Sequence, residues 1–384
     1  MKSLNKLVLV SSALSVALSQ MSAYKVVDEG NKVIDIYGSA RGYVGFGGNA
    51  NVTGNTFNDP SGSALFGLQS NSRVGIKAKI NNLDANVELA LQEESRYGYF
   101  RHMWGSYTFG SAGTLLFGKA NTPSVPKTLF SSDTANIDQG HVGFGGLRTA
   151  SRKVQISYSI AGATIALVDD TEDVDAASKR NGKIPRIAAG YYLQNEDKTL
   201  DFQVGGTYKY YNKGYDQNPG SQHRFDDVQN KGSGSAFHIF AAIKSQTMDK
   251  KLYFSGMFNY GMNADLYREQ RTSINLGSYK HEEIYRKDPR ANVHRAGIYA
   301  ESGYKISDTL SGVLGLGYQL SFSRTLNTGD EAHTFMAMAQ LPVKLEKSLT
   351  ITPQIGYYGA AGELENHGQQ QHSILAFVRL RYDF

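Results

Sequence analysis

The chain carries nine histidines and no cysteine. The missing thiols exclude cysteine-ligated metals, thiol nucleophiles and disulfides. No two histidines stand at a metal-ligand spacing within a helical pattern. Gly143-x-Gly145 lacks the strand-to-helix setting that a dinucleotide fingerprint needs. A hydrolase would need a serine or aspartate nucleophile beside a histidine base. His102 and His294 could stand near a serine, yet no nucleophile motif accompanies them. No enzyme, cofactor or metal is therefore expected. What remains is charge laid out in rows. Arg73, Lys77 and Lys79 alternate with Val74, Ile76, Ala78 and Ile80. Asn86, Glu88, Gln92 and Glu94 alternate with Ala85, Val87, Leu89 and Leu91. Rows of fixed charge backed by apolar rows do electrostatic chemistry: they attract, orient and select ions and polar solutes.

Such rows need strands to carry them, because only a period of two separates adjacent residues onto opposite faces. Sixteen stretches show this alternation: roughly 33–46, 72–80, 85–94, 100–109, 114–119, 148–160, 163–170, 185–194, 199–211, 235–246, 251–262, 292–305, 309–322, 332–345, 349–359 and 372–384. Their linkers alternate between short turns, such as 81–84 and 161–162, and long polar loops, at 47–71, 120–147, 212–234, 263–291 and 360–371. Membrane insertion produces that asymmetry: one rim stays tight and the other is free to grow. A soluble sandwich gives no reason for it, and its strands would share a core instead of pairing apolar with charged faces. With 41 glycines and 24 tyrosines but 8 prolines, the composition also suits strands with aromatic girdles. The fold class is all-β: a sixteen-stranded antiparallel transmembrane β-barrel.

Residues 1–23 read as a secretory signal peptide. Lys2 and Lys6 precede the apolar run 7–18, and cleavage after Ser19 or after Ala23 both fit. Residues 24–384 then form the barrel domain, with a net charge near +3, too slight an excess to argue for nucleic acid. The last stretch runs to Phe384, as a strand that must pair with the first to close a barrel.

Several motifs in order resemble the general, trimeric outer-membrane porins of Gram-negative bacteria. Gly30-Asn31-Lys32-Val33 with Asp35-Ile36-Tyr37-Gly38 resembles that family's first strand, and Ser72-Arg73-Val74-Gly75-Ile76-Lys77 its second. Arg101 with Trp104-Gly105 resembles the fourth strand, and Phe117-Gly118-Lys119 the end of the fifth. Ser132-Asp133-Thr134-Ala135, followed by Val142-Gly143 and Gly145-Gly146, resembles the back of the third loop, and Tyr382-Asp383-Phe384 the terminal aromatic signature. After residue 160 only the strand rhythm matches.

The resemblance implies a homotrimer in outer-membrane lipid and lipopolysaccharide, exported and then assembled through recognition of Phe384 by the barrel-assembly machinery. It implies a pore for passive diffusion of small hydrophilic solutes, narrowed by the third loop, here 120–147. Arg73, Arg101, Arg41, Arg148 and Lys77 are the basic side of the constriction on this mapping, and Asp133 and Asp138 the loop acids. The family's loop arginine falls on Phe144, and its loop acids fall on Val125 and Leu129, with Lys127 between them. A kept basic wall facing a thinned acidic one favours anions. A channel selective for phosphate, organic acids or sugars, and a plugged barrel for adhesion or envelope structure, are the competing readings. Trp104 is expected to face lipid or the membrane interface.

Overall fold

The structure is a computed structural model that describes residues 23–48, 63–69, 71–91, 99–127, 141–148, 151–169, 185–213, 232–267, 269–270, 292–323, 331–362 and 371–384. Within them lie nineteen strands of one sheet: β1 (Tyr24–Glu29), β2 (Lys32–Gly48), β3 (Ser63–Leu68), β4 (Arg73–Ile80), β5 (Leu83–Ala90), β6 (Phe100–Thr108), β7 (Thr114–Asn121), β8 (Arg152–Ile160), β9 (Ala163–Val168), β10 (Arg186–Gln194), β11 (Leu200–Lys213), β12 (Gly232–Thr247), β13 (Leu252–Met262), β14 (His294–Lys305), β15 (Ser311–Phe322), β16 (Glu331–Gln340), β17 (Val343–Lys344), β18 (Leu349–Gly362) and β19 (Gln371–Asp383). The only helices among the described residues are two short 3-10 turns.

The nineteen reduce to a ring of sixteen because three strands share a place with a neighbour. β3 and β4 follow one another along the same edge of β2, and β16 and β17 along β18. β1 lines up below the end of β19 on the other edge of β2. Every pairing is antiparallel, and the ring closes between β19 and β2, from Ile374↔Gly48 to Asp383↔Ser39. Past that register the backbones of Gly38 and Phe384 exchange two hydrogen bonds, at 2.7 and 3.1 Å. Closure removes the open edge that a sheet would otherwise present to lipid.

All sixteen alternating stretches are strands of the ring. The sequence did not announce β1 or β3. β1 carries a register shift between Lys25 and Val27 that breaks its alternation. β3 is six residues inside the glycine- and asparagine-rich 47–71, so that loop is shorter than its spacing suggested.

One row of each strand faces outward. Phe46, Ile76, Val87, Phe117, Ile156, Ile165, Ile239, Phe258, Ile298, Leu316, Ile355 and Leu380 are all exposed large apolar side chains, spread round the ring. In water a continuous belt of this kind would drive aggregation. Around a closed barrel it matches hydrocarbon. Tyr208 and Tyr210 stand on the same outer face of β11. The inner row is not uniform. From β2 to β8 it is polar and charged, whereas from β12 to β19 much of it is apolar and buried.

Candidate functional site

The charged wall begins with an irregularity. β5 and β6 pair in step from Leu83↔Tyr107 to Glu88↔His102, then jump to Leu89↔Phe100. Arg101 is the extra residue of a bulge, a device that turns a side chain off its alternating phase. Its Nε donates to Glu88 Oε1 at 2.7 Å, and both side chains are nearly closed to solvent. Arg73 Nε stands 3.4 Å from Glu88 Oε2. The Tyr37 hydroxyl lies 2.9 Å from that same oxygen and 2.9 Å from Asn86 Oδ1. Lys77, opposite Asp35 in register, holds its ammonium 4.7 Å from the centre of the Tyr37 ring. Glu88 therefore joins the two arginines into one wall instead of opposing them across the pore.

The wall continues over the barrel seam. The closing register sets Arg381 directly opposite Arg41. Like charges directly opposite destabilise a sheet unless something bridges them. Here Arg41 Nε donates to the Ser39 hydroxyl at 2.9 Å, Ser39 donates to Asp383 Oδ1 at 2.7 Å, and Arg381 Nε donates to Asp383 Oδ2 at 2.6 Å. Arg379, buried on the same face, donates to Thr352 Oγ1 at 3.3 Å. Among the described residues, this stretch of wall bears Arg41, Arg73, Lys77, Arg101, Arg379 and Arg381 against Asp35, Glu88 and Asp383.

Of the basic residues the sequence nominated, Arg41, Arg73, Lys77 and Arg101 come together on this wall. Arg148 does not join them in any described contact. It lies where the loop after β7 returns to the wall, and its N–H donates to the Glu269 carbonyl at 3.2 Å. Asp133 and Asp138 lie outside the described residues. Trp104 is a correction: it pairs with Asn86, a buried lumen-facing residue, while its neighbour Met103 points outward, so the indole faces the lumen. The bulge at Arg101 hides this phase from a sequence reading. Arg379 and Arg381 were visible as a polar row of the last strand. Their place beside Arg41 depends on the seam register, which no local pattern encodes.

Two loops fold inward against the other half of the ring. The segment after β7 leaves the wall through Thr122, Pro123 and Ser124. Pro123's carbonyl occupies the space that a side chain at Gly190 would need. Gln203 on β11 clamps Lys127 from both sides of its peptide, accepting from the N–H at 2.6 Å and donating to the carbonyl at 2.9 Å. Burial lowers the Lys127 pKa. On its return the segment packs Phe144 and Leu147, both fully buried, on inward-facing Phe240, Met257, Tyr299, Met336, Met338 and Tyr358. Phe144 meets Tyr358 edge-on at 5.1 Å, and Gly317 leaves room for the Phe144 carbonyl. Thr334 donates to the Gly143 carbonyl at 2.6 Å, and Asn259 to that of Gly145 at 2.7 Å. An arginine at position 144 would be stranded in this apolar nest, which accounts for the phenylalanine there. Burial lowers the His141 pKa to about 4.

The second inward loop follows β13 and supplies Tyr267, Glu269 and Gln270, all buried. Polar composition alone marks 263–291 as a long loop and does not show that part of it turns inward. Glu269 Oε1 accepts from Ser151 Oγ at 2.6 Å and Thr122 Oγ1 at 3.1 Å, and stands 2.7 Å from Arg186 Nη1. Its Oε2 accepts from Ser124 Oγ at 2.8 Å. Burial pushes the Glu269 pKa up, but Arg186, His238 and the Ser151 hydroxyl outweigh it and hold the group at about 2. His238 Nε2 lies 2.7 Å from the Ser124 carbonyl, and its Nδ1 lies 2.9 Å from the Tyr267 hydroxyl. Serine, histidine and carboxylate thus meet without a nucleophile–base contact, since the imidazole bonds the serine's carbonyl and not its hydroxyl.

Solved structures share this architecture. The outer-membrane channel DcaP of Acinetobacter baumannii superposes with a TM-score of 0.62 at 12% identity, over 95% of this chain and 100% of that one. The chain has the porin fold. OmpF of Salmonella typhi, solved with daunomycin, gives 0.58 at 13% identity over 94% of this chain and 100% of that one. An anion-selective porin from Comamonas acidovorans gives 0.55 at 12% identity over 92% and 100%. These neighbours are outer-membrane porins and channels, and the barrel is of the bacterial outer-membrane type. No protein-family model and no curated protein sequence matches the chain.

Proposed function

We propose that the protein is an outer-membrane porin whose water-filled channel passes small hydrophilic solutes and ions by passive diffusion, with a preference for anions. The observation that carries the reading is the lumen-facing wall of five arginines and Lys77 against Asp35, Glu88 and Asp383 on a closed barrel with an apolar outer belt. An excess of fixed positive charge in a confined passage with low-dielectric walls raises the local anion concentration. Arg73, Arg101 and Arg41, with Lys77, form the basic side of the constriction, and segment 120–147 narrows the pore opposite them. Arg148 serves the loop's attachment. Asp133 and Asp138 remain candidates for the facing acids. The anion selectivity of the Comamonas neighbour is in line with this reading. The resemblance to general porins adds a homotrimer, contacts with lipopolysaccharide, export through residues 1–23, assembly through Phe384, and no catalytic role.

Planar-bilayer recording tests the proposal. Purified protein should give stepwise, ohmic conductance, and a KCl gradient should give a zero-current potential on the anion side. Silence would sink the channel. Conductance that saturates with one solute class, such as phosphate, organic acid or sugar, would convert the diffusion porin into a selective channel.

A further inference from the structure

The inner half of the ring opposite the Arg73–Arg101–Arg381 wall carries two loops, and one side chain connects both to the strands. The Glu269 carboxylate takes donors from Thr122 and Ser124, where segment 120–147 leaves β7, and from Ser151, where it rejoins β8. On its far side it meets Arg186 of β10. The next residue, Gln270, donates to Asn259 Oδ1 at 2.7 Å, and Asn259 in turn holds the Gly145 carbonyl at 2.7 Å. Two consecutive residues of one loop therefore grip the departure and the return of another. The Glu269 and Arg186 side chains are fully closed to solvent. Charge-assisted hydrogen bonds in such a place are about twice as strong as neutral ones, and the network acts as a unit. Removing the carboxylate takes away the acceptor shared by Thr122, Ser124 and Ser151 and a partner of the buried Arg186 guanidinium, so both roots of the segment lose their common anchor at once.

We propose that Glu269 is the positioning residue of the channel: through it the loop after β13 fixes both ends of the connection between β7 and β8, at 122–124 and 145–151, against the inner wall, and so sets the passage that ions meet. This rests on the channel reading given above. Glu269 touches no permeating ion, and its effect is exerted through the loop it holds.

The test uses the full-length protein, wild type against Glu269→Gln, with Gln270→Ala as a second, milder variant. Unboiled gel mobility and strand-dominated circular dichroism select folded barrels. Folded Glu269→Gln channels should show larger unit conductance and frequent switching between levels, where wild type shows one steady level. Gln270→Ala should show the same changes to a lesser degree. In parallel, trypsin added to folded protein should cut within 120–148 in Glu269→Gln and leave that segment intact in wild type. Unchanged conductance together with unchanged protease resistance in folded Glu269→Gln overturns the proposal. Should Glu269→Gln yield no folded barrel, Gln270→Ala decides by the same two readouts. Should wild type prove silent in bilayers, the channel reading fails, and the protease arm still decides whether Glu269 holds the loop.

Discussion

The two halves of the lumen are built on opposite principles. From β2 through β6 and across the seam to the end of β19, the inward residues are largely polar and include Arg73 and Arg101, joined by Glu88, and Arg41 and Arg381, joined through Ser39 and Asp383. From β12 to β18 the inward positions include Phe240, Met257, Tyr299, Met336 and Met338, and two loops cover them. A wall meant to face water cannot afford that much apolar surface, and the wall that carries loops uses buried charge only where it is paired, as at Arg186 and Glu269. One barrel thus contains an ion-facing half and a half that works as the core of a soluble domain. The difference divides the lumen into a charged wall and a wall covered by loops, and the proposed channel function assigns selectivity to the first and the shape of the passage to the second.

The sharpest way to break this division is to empty the core half. Phe144→Ala removes the aromatic ring packed edge-on against Tyr358 in the buried apolar cluster. Buried phenylalanine truncations cost about 3–5 kcal/mol of packing. The cost falls on the loop, since the ring of strands keeps its own ladder. Thermal denaturation of the barrel should therefore move little, while hydrogen exchange at residues 141–148 should accelerate strongly and unit conductance should rise. A variant that unfolds the whole barrel with no prior loosening of the loop would show that the loop packing belongs to barrel stability.

The charged half is tested by sign. One unit charge about 4 Å from an ion in a water-like dielectric is worth about 1 kcal/mol, or about five-fold in relative occupancy. Arg73→Gln with Arg101→Gln should shift the zero-current potential toward cations by up to that factor per charge. Glu88→Gln should shift it toward anions. If both changes move the potential in the same direction, the wall does not set selectivity.

The halves also differ in how acid reaches them. His141 on the core side is neutral when packed, and burial sets its pKa near 4, below the usual 6.5. A depressed folded value means stability that is complete above pH 6.5 and is lost as pH falls toward 4. Glu269 follows the same sign in a lower window: its contribution is present above its ordinary 4.5 and is lost as pH falls toward 2. Acidification from pH 7 should therefore loosen the loop progressively. Conductance noise should appear between pH 6.5 and 4, and His141→Gln should reduce it. Onset only below pH 4.5 would assign the acid response to the Glu269 node alone.

How much of this was legible follows from what each feature obeys. The sixteen stretches were readable because lipid on one side imposes an outward apolar row wherever a strand crosses. The polar rows at Arg73 and Glu88 were readable for the same reason. The apolar inner half left a trace as well: Phe335 to Ala339 is apolar on both faces, a pattern of strands buried on both sides. It did not say what would cover the inner face. The bulge at Arg101, the Arg41–Arg381 register and the Glu269 contacts depend on residues between 13 and 340 positions apart meeting in one place. No local periodicity encodes such meetings.

The smallest effect offers a direct look at the charged half. Trp104 is the only tryptophan, so intrinsic indole emission reports one position. Its place opposite Asn86 puts it on the lumen face of β6, beside the Arg101–Glu88 pair. Emission from folded protein in vesicles should respond to small aqueous quenchers and be indifferent to brominated acyl chains. The charge of the quencher then reads the field. Iodide drawn toward the arginines should quench more efficiently than caesium, once each is normalised to free tryptophan. Moderate salt should narrow the gap, because the Debye length falls to about 10 Å at 0.1 M and about 3 Å at 1 M. Arg101→Gln should narrow it further, since that guanidinium is anchored on the same strand as the indole. Quenching by brominated lipid would place Trp104 outside the barrel and undo the assigned phase of β6. Equal quenching by iodide and caesium at low salt would leave the phase intact and remove the positive field.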